Sequence, residues 1–170
     1  MTVYVALLRA VNVGGTGKLP MSELKAMCEA AGFVAVRTYI ASGNVVFQSM
    51  ASAAQVKAAL EARLKAFAGK PVGVAVRTAN EIQAVLKASP FPKAAPNRTV
   101  AIFLDEAPPK DSLKAATGVR GEEMKLGKRE IYVHYGDGMA DSKLRIPAAL
   151  TGTARNMNTI AKLAAMAAED

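Results

Sequence analysis

The loop at residues 12–18, together with Arg9 before it, contains the first group of side chains that could bind an anion. Arg9 and Lys18 supply positive charge, and the glycines between them let backbone N–H groups approach a phosphate closely. The loop is not a nucleotide-binding motif, because a Walker A sequence requires glycine in place of Asn12 and serine or threonine in place of Leu19. The sequence is therefore compatible with generic anion binding and equally with a flexible connection.

The tripeptide Ser42-Gly43-Asn44 is the second such group. Its composition is typical of a tight turn in which the glycine has a positive φ, and we favour that interpretation. If the side chains of Ser42 and Asn44 instead point toward the first loop, they form one polar pocket with Arg9 and Asn12. A shift of one residue in strand register would turn them away from it.

The third group combines Lys143 with Arg155, Asn156 and Asn158. We expect the last three at the start of a helix, where free N–H groups and the helix dipole favour an anion. Arg155 and Asn158 are three residues apart, so they would share one helix face. Ordinary capping of this helix by Thr153, with a solvated polar face, explains the same residues equally well.

We expect these three groups to meet in one polar cleft between two subdomains and to bind a small anionic ligand that bears phosphate or carboxylate. Arg9 and Arg155 would clamp the anion, the asparagines would orient it, and Lys143 would add charge. The predicted ligand-binding residues are Arg9, Asn12, Lys18, Ser42, Asn44, Lys143, Arg155, Asn156 and Asn158.

The excess of basic residues favours nucleic-acid binding as an alternative. The chain has 22 lysines and arginines against 14 aspartates and glutamates, a net charge of +8, and a basic surface binds phosphate backbones. The charge is dispersed, since the longest basic run is Lys128-Arg129, and aromatic residues make up only 5% of the chain. Tyr4 and Phe47 are the side chains that the predicted first sheet offers for base stacking.

An enzyme of unknown reaction class that uses the same cleft is the second alternative. Its reactive group would have to be Ser42, Ser142, Lys143 or His134, and no spacing to a partner residue favours one of them. Cys28 falls on the apolar face of a predicted helix, where we expect a buried packing residue. One cysteine and one histidine supply neither an intramolecular disulfide nor the usual zinc ligands, and no sequence motif calls for a cofactor.

The sequence carries no recognisable export or membrane signal. No apolar run approaches the roughly 18 residues that a spanning helix needs. The apolar run at residues 3–8 follows no basic leader and ends at Arg9. A single cysteine also fits a reducing compartment. We therefore expect a cytoplasmic protein with no membrane partner, whose oligomeric state the sequence does not indicate.

The N-terminal half predicts a β-α-β-β-α-β order, the split arrangement of ferredoxin-like domains. Short apolar runs rich in strand formers alternate there with segments of helical spacing. The predicted strands are residues 3–8, 34–40, 45–48 and 71–77, and the predicted helices cover residues 20–32 and 52–69.

The C-terminal half is expected to begin in the same order and to end differently. After a third helix and a proline-rich stretch, a strand, a short helix and a hairpin are followed by two helices in place of a last strand. These segments are residues 81–87, 89–97, 99–104, 107–115, 122–126 with 130–135, 147–150 and 155–168. We predict an α+β protein with two packed subdomains, residues 1–78 and 79–170.

Several ordered blocks of the sequence resemble the domain-of-unknown-function 1697 family of mostly bacterial proteins. The blocks are ALLRAVNVGG at residues 6–15, KLPM at 18–21, YIASGNVVF at 39–47, SKL at 142–144 and RNMNT at 155–159. The resemblance implies an α+β fold with a ferredoxin-like arrangement and an additional C-terminal α+β portion, and it implies no established activity. Met157 stands where the family usually has tryptophan. This difference affects affinity or ligand choice if the aromatic ring stacks on a ligand, and it costs little if the ring only packs, because Met fills the space.

Overall fold

The computed structural model describes residues 1–12 and 18–169, so the glycines of the first predicted loop lie outside the described residues. Four strands and two helices make up the N-terminal part in the predicted order. They are β1 Thr2–Leu8, α1 Met21–Ala30, β2 Val34–Tyr39, β3 Asn44–Ser49, α2 Ala53–Ala68 and β4 Val74–Thr78.

The first sheet has the spatial strand order β2-β3-β1-β4, and every neighbouring pair is antiparallel. This is the order of a split β-α-β fold. In that fold a helix connects the first strand to the second, and the third strand lies between these two in the sheet. Tyr4 of β1 pairs with Phe47 of β3, and Leu8 pairs with Val74 of β4. The predicted ferredoxin-like arrangement of the N-terminal half is confirmed.

Helix α2 shows why these elements form where they do. Ser52 and Gln55 form a capping box, in which each side chain accepts a hydrogen bond from the other residue's backbone N–H. Gly69 ends the helix in the left-handed conformation, at φ 75°. Between these ends, Leu60 and Leu64 are buried against the sheet in the first hydrophobic core. The capping residues and the apolar spacing therefore both indicate a helix over the same residues.

Tyr4 and Phe47, the two aromatic residues considered for base stacking, lie inside the same core. Their side chains are 4% and 0% exposed. Phe47 stacks on Phe33 with ring centroids 4.4 Å apart. Neither ring is available to a nucleobase on the sheet surface.

The C-terminal part contains a second four-stranded antiparallel sheet. Its elements are α3 Ala79–Lys87, β5 Thr99–Phe103, β6 Glu123–Leu126, β7 Glu130–His134, β8 Thr153–Asn156 and α4 Met157–Ala168. The spatial strand order is β6-β7-β5-β8. Counting strands from β5, this is the order of the first sheet, so the second sheet repeats the topology of the first. The protein is an α+β protein, as predicted.

The prediction for the end of the chain was wrong in one respect. Residues 153–156 form strand β8, and α4 begins only at Met157, whereas the sequence predicted a helix from Arg155. The reason is tertiary, because Thr153 pairs with Phe103 and Asn156 with Val100 along β5. Pairing with a distant strand overrides the helical pattern of these few residues.

The predicted helix at residues 107–115 is also not formed. Its backbone hydrogen bonds join residues three apart, from the N–H of Ser112 to the carbonyl of Pro109 and from Lys114 to Asp111. These are successive turns, since an α-helix needs bonds between residues four apart. Pro108 and Pro109 remove two backbone donors at the start of the segment.

The chain divides into two compact units. The first unit comprises residues 1–82 together with the chain from residue 163 onward, and the second comprises Gln83–Lys162. Helix α4 therefore begins in the second unit and ends in the first. The assignment of residues 1–78 and 79–170 as subdomains stays a prediction. In the described ranges, none of the helices has the length and apolar character needed to cross a membrane.

The thiol of Cys28 predicts a specific alkaline dependence of stability. Burial, with a smaller effect of Glu29, raises the pKa of Cys28 to about 12. Between the ordinary pKa of 9.0 and about 12, the thiol therefore ionises in the unfolded chain and stays protonated in the folded one. The stability it contributes is complete below pH 9 and decreases above it, by about 1.4 kcal/mol per pH unit.

Replacing Cys28 with alanine removes this contribution, so the stability of Cys28→Ala is expected to decrease less steeply above pH 9 than that of the natural protein. Urea unfolding of both proteins at several pH values measures the difference in slope. Burial of Tyr132 raises its pKa to about 12 as well, and this effect is common to both proteins. Equal slopes would show that the folded thiol ionises normally.

Candidate functional site

Asn12 ties the exit of β1 to two other segments of the first unit. Its Nδ2 donates to the carbonyl oxygens of Leu19 and Ala41, each at 2.8 Å, and its Oδ1 accepts from the N–H of Leu19 at 2.6 Å. The backbone of Asn12 has a φ of 54°, in the left-handed region that asparagine tolerates. The side-chain amide of Asn12, a predicted ligand-binding residue, therefore forms its hydrogen bonds within the protein.

Asn44 has a similar structural role at the hairpin between β2 and β3. Its side chain is 0% exposed, and Nδ2 donates to the carbonyl of Tyr39 at 2.8 Å and to Oγ of Ser42 at 2.9 Å. Gly43 has a φ of 90°, and its carbonyl accepts from the N–H of Leu8 at 2.8 Å. The tripeptide forms the tight turn that its composition indicated, and it lies beside the end of β1.

The variant Asn12→Ala is expected to lower the free energy of unfolding by about 2 to 3 kcal/mol. It removes three hydrogen bonds and leaves alanine at a positive φ. Urea unfolding gives the value, and Asn97→Ala, at an exposed position, is the control. Unchanged stability of Asn12→Ala would mean that the amide is not structural and is free to contact a ligand.

The other predicted residues of the first unit are exposed cations. The side chain of Arg9 passes over Gly73, where an added Cβ would lie 3.7 Å from the Cβ of Arg9. Lys18 lies next to Leu19, at the edge of a pocket in the same unit. The first and second predicted groups are thus neighbours within this unit, joined through Asn12 and Ala41.

Arg155 is a buried strand residue and not part of an exposed helix face. It lies in β8 opposite Ala101, is 9% exposed, and donates from Nη1 to the carbonyl of Ala154 at 2.9 Å. Burial lowers its pKa to about 10. The predicted common helix face of Arg155 and Asn158 does not exist, because the helix starts after Arg155.

The remaining residues of the third group lie around the start of α4. Asn156 accepts a hydrogen bond from the N–H of Thr159 through Oδ1 at 2.9 Å, so Asn156 caps the helix, a role predicted for Thr153. Thr153 lies in β8. Asn158 is exposed and lines a pocket of about 280 Å³ together with Met157.

A larger pocket of about 490 Å³ lies in the second unit, and we call it the loop pocket. Three loops form it, which contain Gly118 to Glu122, Tyr135 to Gly138, and Asp141 to Lys143. Its ionisable and hydroxyl-bearing side chains are Arg120, Glu122, Tyr135, Asp141, Ser142 and Lys143. Lys143 is the member of the predicted ligand-binding set that this pocket contains.

The carboxylate of Glu122 links two of the loops that form the loop pocket. It is 8% exposed and accepts hydrogen bonds from Oγ of Ser142 and from the N–H of Arg120, both at 2.5 Å. The Ser142 hydroxyl and then the Arg120 amide lower the pKa of Glu122, so it is ionised at neutral pH. A carboxylate with a lowered pKa is a weak base, which argues against activation of Ser142 as a nucleophile.

A backbone bridge fixes Lys143 beside the loop that carries Arg120. Thr117 and Arg145 exchange two backbone hydrogen bonds of 2.9 Å. Gly118, at φ 69°, lies against this bridge so closely that an added Cβ would be 2.1 Å from the carbonyl oxygen of Lys143. The position of Lys143 therefore depends on a glycine at residue 118.

Three donors of the loop pocket have no hydrogen-bond or ionic partner in the described part of the chain. They are the guanidinium of Arg120, the ammonium of Lys143 and the phenol of Tyr135. Burial, and then the charge of Glu122, raises the pKa of Tyr135, which keeps its hydroxyl protonated as a donor. Cations and donors without protein partners are the groups that an anion binds.

Nothing in the sequence indicates that Arg120, Glu122 and Tyr135 belong to one site. They come from separate loops, and no fixed spacing relates them. Glu122 is buried and immediately precedes β6, whose first residue, Glu123, is exposed.

His134 shows no arrangement typical of a catalytic residue. Its Nδ1 lies 3.1 Å from Oγ1 of Thr99, and its ring lies 6.0 Å from that of Phe91. Thr99 is buried and its Oγ1 donates to the carbonyl of Ala95 at 3.0 Å, so its hydroxyl is not presented to a substrate as a nucleophile. Over the residues that the structure covers, His, Cys, Asp and Glu side chains form no group of three that could hold a metal ion.

Comparisons with known proteins agree with this fold. A family profile described as "Protein of unknown function (DUF1697)" matches residues 1–132. Conserved bacterial protein SP0830 from Streptococcus pneumoniae has a similar structure, with a TM-score of 0.80 and 25% sequence identity over 98% of each chain. No curated protein matches the sequence.

Proposed function

The chain belongs to the DUF1697 family of proteins of unknown function, and we propose that it binds a small anion bearing phosphate or carboxylate in the loop pocket. The description of the family names no ligand. The observation that supports this most is the set of three unpartnered donors, Arg120, Tyr135 and Lys143, on the wall of one pocket. At about 490 Å³ the pocket has the size of a typical small-molecule site.

Each of the three donors contributes differently to anion binding. The planar guanidinium of Arg120 can donate two parallel hydrogen bonds to a carboxylate or phosphate. Lys143 acts as a point charge whose position is set by the bridge at Thr117 and Arg145. Tyr135 adds a neutral O–H donor. Hydrogen bonds to a charged group contribute about 1.5 to 3 kcal/mol each, which makes the two cations the main determinants of affinity.

The two carboxylates of the loop pocket narrow the class of ligand. Glu122 and Asp141 bring negative charge close to Arg120 and Lys143, so a long polyanion meets repulsion there as well as attraction. A small anion that also carries hydroxyl or amino donors satisfies both kinds of group. We therefore favour sugar phosphates, hydroxy acids and amino acids over bare phosphate chains and nucleic acids.

Nucleic-acid binding and catalysis have weaker support. Tyr4 and Phe47 are buried, which removes these two aromatic rings from base stacking. Ser142 donates its proton to a carboxylate of lowered pKa, and this favours binding over nucleophilic chemistry. The larger predicted site with Arg9 and Arg155 stays a prediction, as does a cytoplasmic location, which the single buried Cys28 fits.

A thermal-shift screen at low salt tests the proposed function. The probes are inorganic phosphate, glucose 6-phosphate, citrate, serine, and short single-stranded RNA and DNA. Binding to the folded state raises the melting temperature by mass action. We expect stabilisation by at least one small anion, reduced in Arg120→Gln and in Lys143→Gln and retained in Lys125→Gln, which removes an exposed lysine of β6.

Two other outcomes of this screen would contradict anion binding in the loop pocket. Loss of the shift in Arg9→Gln, with Lys143→Gln unaffected, would move the site to the first unit and overturn the proposal. Stabilisation by every polyanion, removed by salt and unaffected by each variant, would mean that the net charge of +8 alone attracts anions.

A further inference from the structure

A second pocket, of about 390 Å³, lies in the first unit and differs in character from the loop pocket. The end of α2, residues 10–11 and 18–19, and the segment before β4 form it. Its apolar walls are Val11, Leu19, Leu64, Phe67 and Val72. Val11, Leu19 and Leu64 are 6%, 4% and 1% exposed and belong to the first hydrophobic core, so the floor of this pocket is rigid.

Two lysines also line this pocket. Lys18 and Lys70 are both exposed, and neither has an ionic or hydrogen-bond partner among the residues described. Within the part of the chain that the structure describes, the lining includes no aspartate or glutamate. The pocket therefore combines an apolar interior with positive charge and no compensating carboxylate.

Phe67 gives independent support for a ligand at this place. Its side chain is 47% exposed near the end of α2, where Lys65 and Lys70 are its charged neighbours in sequence. A large exposed aromatic ring on the wall of an apolar pocket provides contact area for a bound molecule.

We propose that this pocket binds a monocarboxylate with an apolar body, of the class of medium-chain fatty acids. The hydrocarbon chain would lie against Leu64, Phe67 and Val72, and the carboxylate would pair with Lys18 and Lys70. Two ammonium groups in the lining of one pocket suit one carboxylate, and apolar walls give no hydrogen-bond partners to a sugar. This site is independent of the loop pocket, whose ligands are hydrophilic.

Isothermal titration of the full chain with octanoate, hexanoate, acetate and octanamide tests the proposal. Burial of each methylene strengthens binding about fourfold, so octanoate is expected to bind about fifteenfold more tightly than hexanoate. Acetate is expected to give no binding, and uncharged octanamide is expected to bind more weakly than octanoate.

Charge variants separate this site from adventitious hydrophobic binding. Lys18→Gln and Lys70→Gln are each expected to weaken octanoate binding about tenfold and to leave octanamide binding unchanged. The matched control is Lys65→Gln, on the same helix end and outside the pocket lining. Phe67→Ala is expected to weaken both ligands. Lys143→Gln, in the loop pocket, is expected to change neither, so failure here leaves the proposed function standing.

Methyl-resolved NMR locates the bound octanoate. The methyl signals of Leu64 and Val72 are expected to shift on titration, whereas those of Ile131, in the second unit's core, stay unchanged. The proposal is overturned if octanoate causes no heat and no methyl shift. Equal weakening in Lys18→Gln, Lys70→Gln and Lys65→Gln would overturn it as well, because the effect would then come from net charge.

Discussion

Replacing Gly118 by alanine is expected to lower the free energy of unfolding by about 3 kcal/mol or more. The new Cβ would lie 2.1 Å from the carbonyl oxygen of Lys143 and 2.8 Å from its carbonyl carbon, and both atoms are backbone. Gly118 also has a φ of 69°, where alanine is strained. The clash can be relieved only by moving residues 117–118 away from residues 143–145, which disrupts the bridge between Thr117 and Arg145.

Gly121 provides a matched control for this prediction. It has a φ of 88°, and an added Cβ there meets no atom within 4 Å. Gly121→Ala therefore carries the backbone strain without the clash, and we expect it to cost about 1 kcal/mol. Urea unfolding of both variants measures the difference. Equal losses would contradict a close approach between Gly118 and Lys143.

Removing both cations of the loop pocket has the largest expected effect on binding. The double variant Arg120→Gln/Lys143→Gln loses two hydrogen bonds to a charged ligand, and a loss of about 1.5 to 3 kcal/mol for each predicts at least a hundredfold weaker binding. Calorimetric titration at low salt with the small anion that stabilises the natural protein most gives the affinity. The melting temperature should hardly change, because Arg120 and Lys143 are exposed.

A second double variant removes the same charge elsewhere. Lys125 and Lys128 lie in the exposed hairpin of β6 and β7, outside the loop pocket. Lys125→Gln/Lys128→Gln is expected to keep the affinity within about threefold, the change that long-range electrostatics can cause. If the two double variants weaken binding equally, the ligand responds to net charge and not to the pocket.

The first unit could be predicted from the sequence because its signals are local. Ser52 with Gln55 marks the start of α2, Gly69 marks its end, and the turn Ser42-Gly43-Asn44 separates β2 from β3. Each signal acts within a few residues, and the structure uses each as its chemistry suggests.

Strand β8 could not be predicted in the same way. Its four residues, Thr-Ala-Arg-Asn, carry no apolar alternation, and they become a strand by pairing with β5, about fifty residues earlier in the chain. Because the sequence predicted a helix here, it also predicted an exposed side chain for Arg155, whereas Arg155 is buried in the structure. With β8 paired to β5, the second sheet has the same spatial strand order as the first.

The sequence indicates individual polar residues better than it indicates a site, because residue type carries less information than contacts do. Asn12 and Asn44 have the side chains of ligand-binding residues, and their amides hold loops together. Lys143 was identified from its cluster of polar neighbours. The loop of Arg120 is joined to that of Lys143 by the backbone bridge at Thr117 and Arg145 and by the Glu122–Ser142 hydrogen bond, and no periodicity in the sequence encodes these contacts.

The most direct test of anion binding in the loop pocket is a titration of the ¹⁵N-labelled protein with inorganic phosphate, followed in amide NMR spectra. We predict that the signals of Gly118, Arg120 and Lys143 shift with one common affinity, and that these shifts disappear in Lys143→Gln. Shifts spread over exposed lysines such as Lys25 and Lys93, with the loop pocket unaffected, would contradict the proposed function.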